Sequence, residues 1–301
     1  MSLSDATRTA LREAGLDADQ VQELAVRTLA EDLDGGADVT SVATVPAALQ
    51  GVAAFVPRAA GVVAGGAVAM ACLDVAADGG LDWTTVRPDG PAGAGETVLE
   101  VRGPVRALLT GERSALNLLC HLSGVATLTA RWVDAVAGTG ARIRDTRKTT
   151  PGLRALEKYA VRVGGGVNHR MSLSDAALVK DNHVVAAGGV AAAFEAVRQA
   201  WPTLEVEVEC DTVAQVREVL EAGADLVLLD NMADDELRAA VALCRPAGVR
   251  TEASGGLTLD RARAVAATGV DFLSVGGLTH SAPVLDLGLD LVLEAGSGAC
   301  S

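Results

Sequence analysis

Aromatic side chains are rare in this chain, which has three Trp, three Phe and one Tyr among 301 residues. Its charge is one-sided, because 39 Asp and Glu face 25 Lys and Arg and leave a formal net charge of −14. Proteins that bind nucleic acid use basic surfaces and stacking rings. The sequence therefore predicts no nucleic-acid partner. Half of the residues are hydrophobic, so we expect a full core built from Ala, Val and Leu.

Cysteine is scarce and scattered. The five cysteines are Cys72, Cys120, Cys210, Cys244 and Cys300. Their odd number and the lack of a C-x-x-C pair indicate neither a disulfide framework nor a cysteine zinc site. Residues 1–19 have no apolar signal core. The uncharged run at residues 59–73 is too short and too rich in Gly and Ala to span a bilayer. We expect a cytoplasmic protein without a membrane partner.

Lysine is almost absent, and its three occurrences, Lys148, Lys158 and Lys180, fall within one stretch of 33 residues. The remaining 22 basic residues are arginine (25 − 3). A compact ammonium at these positions indicates a task that a planar guanidinium cannot perform. Residues 142–183 hold nine Lys and Arg against four Asp and Glu, in a chain that is acidic elsewhere. This local excess of positive charge predicts an anion site.

The first hundred residues read as an α+β module. Helices are expected in residues 4–33, with a break near Gly15, and at 65–76. Strands are expected at 51–57, 61–63, 83–86 and 97–101, with turns at 87–95. Helical periodicity then runs, with interruptions, from Pro104 to about residue 137.

From residue 141 the pattern alternates between strand and helix. The expected strands are 142–145, 177–180, 204–209, 225–229, 249–252 and 272–275. The expected helices are 151–163, 190–200, 213–222, 233–243 and 259–267. Repeated strand–helix units form a parallel sheet. Polar residues follow the carboxyl ends of the strands, which favours a (β/α) barrel. An open doubly wound sheet is the alternative, but no G-x-G-x-x-G follows a predicted strand.

The basic segment supplies the candidate anion ligands. Arg147 can hold a carboxylate or phosphate through two parallel hydrogen bonds, and Lys148 adds a point charge. The glycine triplet at 164–166 permits close backbone approach and leads to His169 and Arg170. Lys180 follows at the end of the next strand. Several polar residues nearby have a structural interpretation: Arg154, Glu157, Lys158 and Arg162 as solvated or salt-bridged, His183 as a cap or a ligand, and His121 as a core histidine.

Two carboxylates and two glycine-rich loops complete the candidate site. Glu209 and Asp230 end consecutive strands, where they can hold ribose hydroxyls, the water shell of a metal or a developing cation. Structural salt bridges are the alternative for both. Ser254 and Gly255 before a helix, and Gly276 after the last strand, are typical of phosphate-binding loops.

Several sequence runs are similar to the quinolinate phosphoribosyltransferase family. They are D-T-R-K-T-T-P-G-L-R (145–154), K-Y-A-V-R-V-G-G-G-V-N-H-R (158–170), K-D-N-H (180–183), E-R-S-A-L-N (112–117), L-S-G-V-A-T (122–127), V-E-V-E (206–209), L-L-D-N (228–231), E-A-S-G-G (252–256) and V-G-G-L-T-H-S (275–281). The resemblance covers most of residues 110–290. The family often has alanine at the position of Gly277, which keeps a small residue there.

The resemblance implies an incomplete (β/α) barrel, residues 113–282, and an N-terminal α/β sandwich domain, residues 1–112, joined by residues 283–301. It implies a transferase of NAD biosynthesis that converts quinolinate and phosphoribosyl pyrophosphate to nicotinate mononucleotide, pyrophosphate and CO2. It also implies Mg²⁺ with the pyrophosphate, and a homodimer whose sites are shared between the subunits.

The resemblance also implies a role for each candidate residue. Around the quinolinate carboxylates it places Arg113 from a partner subunit, Arg147, His169 and Arg170. Lys148 and Lys180 border both substrates and, with Glu209 and Asp230 on the ribose and metal side, form the catalytic set. Ser254, Gly255 and Gly276 are expected at the 5′-phosphate. We expect no direct protein ligand to the metal, with Glu209 and Asp230 reaching it through water.

Three other functions fit parts of this pattern. A related phosphoribosyltransferase could take a pyridine monocarboxylate such as nicotinate, although it would need fewer cations around the base. A barrel lyase could form a Schiff base at Lys180, but the arginines and the glycine-rich loops would then have no role. The third is a non-catalytic anion-binding protein, which a turnover assay separates from the enzymes.

Overall fold

The computed structural model describes residues 2–293. Cys300 and the end of the 283–301 segment lie outside the described residues. The helices are α1 (Asp5–Glu13), α2 (Ala18–Leu33), α3 (Val39–Thr44), α4 (Gly66–Ala77), α5 (Val105–Ala135), α6 (Arg154–Val163), α7 (Asp181–Ala187), α8 (Val190–Ala200), α9 (Val213–Glu221), α10 (Asp234–Cys244), α11 (Ala262–Ala266) and α12 (Gly277–His280), with a 3₁₀ turn at Arg245–Ala247. The strands are β1 (Gln50–Pro57), β2 (Gly61–Val63), β3 (Asp82–Thr85), β4 (Gly90–Ala92), β5 (Leu99–Pro104), β6 (Arg142–Arg144), β7 (Ala177–Val179), β8 (Val206–Cys210), β9 (Leu226–Asp230), β10 (Arg250–Ser254), β11 (Phe272–Ser274) and β12 (Leu287–Leu293).

The described chain divides into two compact units. The N-terminal unit comprises residues 2–128, 155–164 and 282–293, and the barrel unit comprises residues 129–154 and 165–281. The boundary predicted between residues 112 and 113 falls inside α5, which is one continuous helix. The interruptions expected in this region are therefore wrong, and the domain limits stay a prediction.

The N-terminal unit contains a four-stranded antiparallel sheet in the order β12-β1-β5-β3. β12 pairs with β1 along its whole length, from Gly51 opposite Leu293 to Pro57 opposite Leu287. A strand from the end of the described chain thus completes a sheet begun near residue 50. The two predicted N-terminal helices are confirmed, since Ser4 and Asp17 accept hydrogen bonds from the first turns of α1 and α2.

Several short elements of the chain differ from the prediction. Helices α3, α7 and α12 were not expected, and β4 lies inside the region read as turns. β4 exists because it pairs with β2 in a separate two-stranded ribbon, a long-range contact that local turn residues do not reveal. β5 is also displaced toward the carboxyl end of its predicted range.

Two charged residues of α6 are not solvated as predicted. Glu157 and Lys158 are fully buried. Glu157 lies 2.8 Å from Nε2 of His121, whose ring is partly exposed. The salt-bridged alternative therefore holds for Glu157, because a carboxylate removed from water requires a partner.

The barrel unit is built on six parallel strands in the order β6-β11-β10-β9-β8-β7. The strands are largely buried, and α8, α9 and α10 cover them with apolar faces that include Phe194, Val216 and Leu237. β6 and β7 form the two edges, and Val167 makes one further parallel bridge beside Arg144. The sheet does not close, so the prediction of an incomplete barrel is confirmed. Within residues 2–293, none of the helices combines the length and apolar character that a bilayer-crossing segment needs.

Candidate active site

The carboxyl ends of the barrel strands surround a cavity of about 590 Å³. This volume is in the usual range for small-molecule sites. Nine of the eleven predicted site residues line it, namely Arg147, Lys148, His169, Arg170, Lys180, Glu209, Asp230, Ser254 and Gly255. The other lining residues are Thr146, Leu178, Leu228, Asn231, Glu252, Gly256 and Ser274. Parallel strands that end at one edge of a sheet bring these distant segments together.

The loop after β6 presents Arg147 and Lys148 to this cavity. Hydrogen bonds hold both the backbone N–H and the carbonyl of Lys148. Its N–H donates to the hydroxyl of Thr146 at 3.0 Å, and its carbonyl accepts from the hydroxyl of Thr279 at 2.7 Å. The Lys148 residue is exposed, so its ammonium is available to a ligand. Nε of Arg147 is buried and has no hydrogen-bond partner among the described residues.

Arg170 is the second guanidinium of the cavity. One of its terminal nitrogens donates to the carbonyl of Ala176 at 2.9 Å, while its buried Nε has no partner within residues 2–293. Burial and the neighbouring positive charge of Arg147 lower the pKa of the Arg170 guanidinium. Two partly desolvated arginines that repel each other gain stability when an anion enters between them. Their arrangement therefore favours a ligand with two negative groups.

The segment that carries His169 is fastened to the end of β6 by a buried carboxylate. Asp145 accepts the backbone N–H of His169 at 2.8 Å and the side-chain amide of Asn168 at 2.5 Å. The imidazole of His169 is bound on both sides. Nδ1 accepts the backbone N–H of Arg170 at 2.7 Å, and Nε2 lies 2.8 Å from a carboxylate oxygen of Glu207.

Glu209 and Asp230 form the acidic part of the cavity. Glu209, near the end of β8, lies 2.9 Å from the ammonium of Lys180. Asp230 ends β9 and accepts the side-chain amide of Asn231 at 2.5 Å. The salt-bridge alternative is thus realised for Glu209. Because the Lys180 side chain is half exposed, this pair contributes little stability and either partner can turn to a ligand.

The glycine-rich loop after β10 has the backbone geometry that only glycine adopts without strain. Gly255 has φ +89°, and a Cβ there would collide with the amide of Asn231. Gly276, after β11, also lies at the rim, since a Cβ there would come within 2.9 Å of Cδ of Lys148. Substitution at either position would thus displace a group that lines the cavity.

Arg113 and His183 are not among the residues that line this cavity. Arg113 lies on α5 in the N-terminal unit and is exposed. His183 fulfils its capping alternative, because its Nδ1 accepts the backbone N–H of Lys180 at 3.0 Å at the start of α7. The sequence shows no obvious route by which Arg113 would reach the cavity of its own subunit.

A buried polar network, of which His169, Glu252 and Ser274 also line the cavity, was not predicted. Arg144 lies 2.5 Å from Glu252, which also accepts the hydroxyl of Ser274 and lies 3.6 Å from Nε2 of His169. Burial raises the pKa of Glu207 to about 7, and burial together with Glu207 raises the pKa of Glu252. The run V-E-V-E contained a signal for Glu207. Side chains alternate between the two faces of a strand, so Glu207 lies on the same face as the predicted site residue Glu209.

Two groups of side chains offer ligands for a cation. Glu209 and Asp230 both line the cavity and present hard oxygen donors, which suits Mg²⁺ held through water. His169, Glu207 and Glu252 have ligand atoms within 4.8 Å of one another. At this second group Arg144 already compensates the carboxylate charge, so the first group fits a metal better.

Two family models match the chain. The model described as "Quinolinate phosphoribosyl transferase, N-terminal domain" matches residues 38–123, and the one described as "Quinolinate phosphoribosyl transferase, C-terminal domain" matches residues 125–290. Together they cover most of the N-terminal sheet, nearly all of helix α5 and the barrel strands.

Named relatives and solved structures agree with these models. The nicotinate-nucleotide pyrophosphorylase [carboxylating] of Mycobacterium leprae is 50% identical over 277 residues, 91% of this chain and 98% of that protein. The human protein of the same name is 50% identical over 199 residues, 64% of this chain and 67% of its own. The crystal structure of NadC from Streptococcus pyogenes superposes with a TM-score of 0.88 at 38% identity, covering 93% of this chain and 99% of that one.

Proposed function

Because the chain belongs to the quinolinate phosphoribosyltransferase family, we propose that its barrel cavity binds quinolinate beside phosphoribosyl pyrophosphate and carries out the family reaction there. The chain is a carboxylating nicotinate-nucleotide pyrophosphorylase, a pentosyltransferase of NAD biosynthesis. The reaction forms nicotinate mononucleotide and releases pyrophosphate and CO2. Different residues of the cavity are assigned to the different steps of this reaction.

The two partly buried guanidinium groups of Arg147 and Arg170 carry the proposal. Quinolinate has carboxylates on adjacent ring carbons, and each can take two parallel hydrogen bonds from a guanidinium. Both arginines have a buried Nε without a partner in the described part of the chain. A dianionic ligand would satisfy these donors and relieve the repulsion between the two cations. A monocarboxylate such as nicotinate would leave half of this charge uncompensated.

The glycosyl transfer step uses the carboxylates and the ammonium groups of the cavity. The pyridine nitrogen attacks the anomeric carbon of the ribose while the bond to pyrophosphate breaks, so positive charge develops on the sugar and negative charge on the leaving group. Glu209 and Asp230 stabilise the first charge, and the ammonium groups of Lys148 and Lys180 stabilise the second. Ser254, Gly255 and Gly276 receive the 5′-phosphate through backbone N–H groups.

Decarboxylation comes next, on the same pyridine ring. The bond between ring carbon 2 and its carboxylate breaks, CO2 leaves, and the electron pair remains on the ring carbon, stabilised by the positively charged ring nitrogen. A proton from solvent then completes the C–H bond. An arginine that keeps hold of the carboxylate on carbon 3 maintains the ring in position while carbon 2 changes.

The two carboxylates of the cavity, Glu209 and Asp230, suit a divalent metal. Mg²⁺ supplies charge neutralisation for the pyrophosphate, and Glu209 and Asp230 would hold its water shell. The exposed position of Arg113 on α5 supports a homodimer in which this residue reaches the cavity of the partner subunit. A cytoplasmic location is part of the same proposal.

A turnover assay tests the function. The purified protein with Mg²⁺ and phosphoribosyl pyrophosphate should convert quinolinate to nicotinate mononucleotide, pyrophosphate and CO2 in equal amounts, and should use nicotinate poorly. Preference for nicotinate would favour the monocarboxylate alternative. A lyase is less compatible with the cavity, because the Lys180 side chain is already engaged by Glu209 at 2.9 Å. Borohydride should therefore trap no substrate on Lys180.

A further inference from the structure

The imidazole of His169 is held in one protonation state by its neighbours. Its Nδ1 lies 2.7 Å from the backbone nitrogen of Arg170. A backbone N–H can only donate, so Nδ1 must accept and cannot carry a proton. The proton of the ring therefore sits on Nε2, which lies 2.8 Å from Oε2 of Glu207. An imidazolium would direct a second N–H at the N–H of Arg170.

The surroundings of the ring single out Glu207 as its partner. His169 and Glu207 are buried, with relative exposures of 9% and 2%. The other carboxylate nearby, Glu252, is 3.6 Å from Nε2 and is already bound by Arg144 and Ser274. Asp145 accepts the backbone N–H of His169. Oε2 of Glu207 is thus the acceptor that fixes the ring.

We propose that Glu207 is a positioning residue: by accepting Nε2–H it holds the neutral ring of His169, and the ring in turn holds the backbone of Arg170. This inference rests on the proposed function, because Arg170 is one of the two arginines assigned to quinolinate. His169 then contributes placement rather than positive charge. The cations that meet the substrate are the arginines and lysines of the cavity.

The contacts of Arg170 explain why the loss of Glu207 should weaken the binding of quinolinate more than that of phosphoribosyl pyrophosphate. Arg170 has two anchors, its own backbone N–H on the His169 ring and its guanidinium on the carbonyl of Ala176 at 2.9 Å. Removal of the Glu207 acceptor frees the ring to rotate and loosens the first anchor. The loops at Gly255 and Gly276, assigned to the phosphoribosyl substrate, follow β10 and β11 and take no part in this series of hydrogen bonds from Glu207 to Arg170.

Histidine NMR of the intact wild-type enzyme tests the protonation state directly. The chain has four histidines, and the ring signals of His169 are identified by their loss in His169→Asn. At neutral pH the proposal predicts a neutral ring with its proton on Nε2. A proton on Nδ1, or a charged ring, would overturn it. This measurement does not depend on whether any Glu207 variant folds.

Two substitutions test the role. Glu207→Gln keeps an acceptor oxygen for Nε2–H, so the KM for quinolinate should stay within about threefold of wild type. Glu207→Ala removes the acceptor, and this KM should rise by about tenfold or more while the KM for phosphoribosyl pyrophosphate changes by less than about twofold. Glu205→Ala is the matched control, since Glu205 pairs on the surface with Arg250 at 2.5 Å.

The outcomes separate this inference from the proposed function. If wild type and the Glu205 control turn over quinolinate but Glu207→Ala keeps a normal KM for it, the inference is wrong and the function stands. Equal increases in both KM values would show a general structural role and would also overturn it. If the wild-type protein does not turn over quinolinate, the proposed function itself fails.

Discussion

Replacement of Glu207 by glutamine should change how the stability of the protein depends on pH. The Glu207 carboxyl is buried in the barrel, and burial, opposed by the attraction of Arg144, raises its pKa from the ordinary value of 4.5 to about 7. A carboxyl with a raised pKa binds its proton more tightly in the folded than in the unfolded chain. Its contribution to stability is therefore complete below pH 4.5 and is lost as the pH rises through about 7.

The size of the effect follows from the two pKa values. A difference of about 2.5 units corresponds to about 3 kcal/mol between the two pH extremes. Between about pH 5.5 and about pH 8, the part that is lost amounts to about 2 kcal/mol. Glutamine does not titrate, so Glu207→Gln removes this pH-dependent loss. The variant should therefore gain about 2 kcal/mol relative to wild type over that interval.

Urea denaturation of both proteins at the two pH values measures this double difference. All groups that titrate identically in the two proteins cancel, so the comparison measures Glu207 together with its effect on the neighbouring Glu252, whose pKa Glu207 raises. If the difference in the free energy of unfolding between variant and wild type is the same at both pH values, the carboxyl does not titrate in this range. A gain toward acid rather than alkaline pH would reverse the sign and show that burial does not raise the pKa of this carboxyl.

Three further predictions concern turnover. Lys148→Arg keeps the charge, but the planar guanidinium cannot occupy the position of the compact ammonium, so kcat should fall by about tenfold or more. Unchanged kinetics would mean that the reaction does not require lysine at this position. Glu209→Gln and Asp230→Asn should each lower kcat, with a loss of about 3 kcal/mol in transition-state stabilisation, and leave quinolinate binding intact; a loss of quinolinate affinity with normal kcat would refute this. A mixture of Arg113→Ala and Lys148→Ala subunits, each inactive alone, should recover about a quarter of wild-type sites after random pairing; verified heterodimers without activity would remove Arg113 from the partner's site.

The sequence was sufficient for most of the barrel. Its strands are runs of apolar residues with polar groups at their carboxyl ends, so the positions of Glu209 and Asp230 followed from period and order. Helix α8 has the bounds that its periodicity predicts. The elements that were missed, such as α3 and β4, are short and depend on contacts with distant parts of the chain.

The buried network was not predicted for a different reason. Arg144, Glu207 and Glu252 are strand residues, and the alternation that puts Glu207 on the same face as Glu209 does not decide whether that face meets water or the barrel interior. Their mutual distances depend on the registers of five adjacent strands, β6, β11, β10, β9 and β8. The two bonds of the His169 ring could not be predicted either, because the tautomer is set by the atoms around it.

A crystal structure of the enzyme with quinolinate bound would show whether the two arginines of the cavity recognise the substrate. Both carboxylates of the ligand should lie against the guanidinium groups of Arg147 and Arg170, and the ring nitrogen should point toward Glu209 and Asp230. Quinolinate bound elsewhere, or in this cavity with its carboxylates turned away from both arginines, would contradict the proposed binding mode.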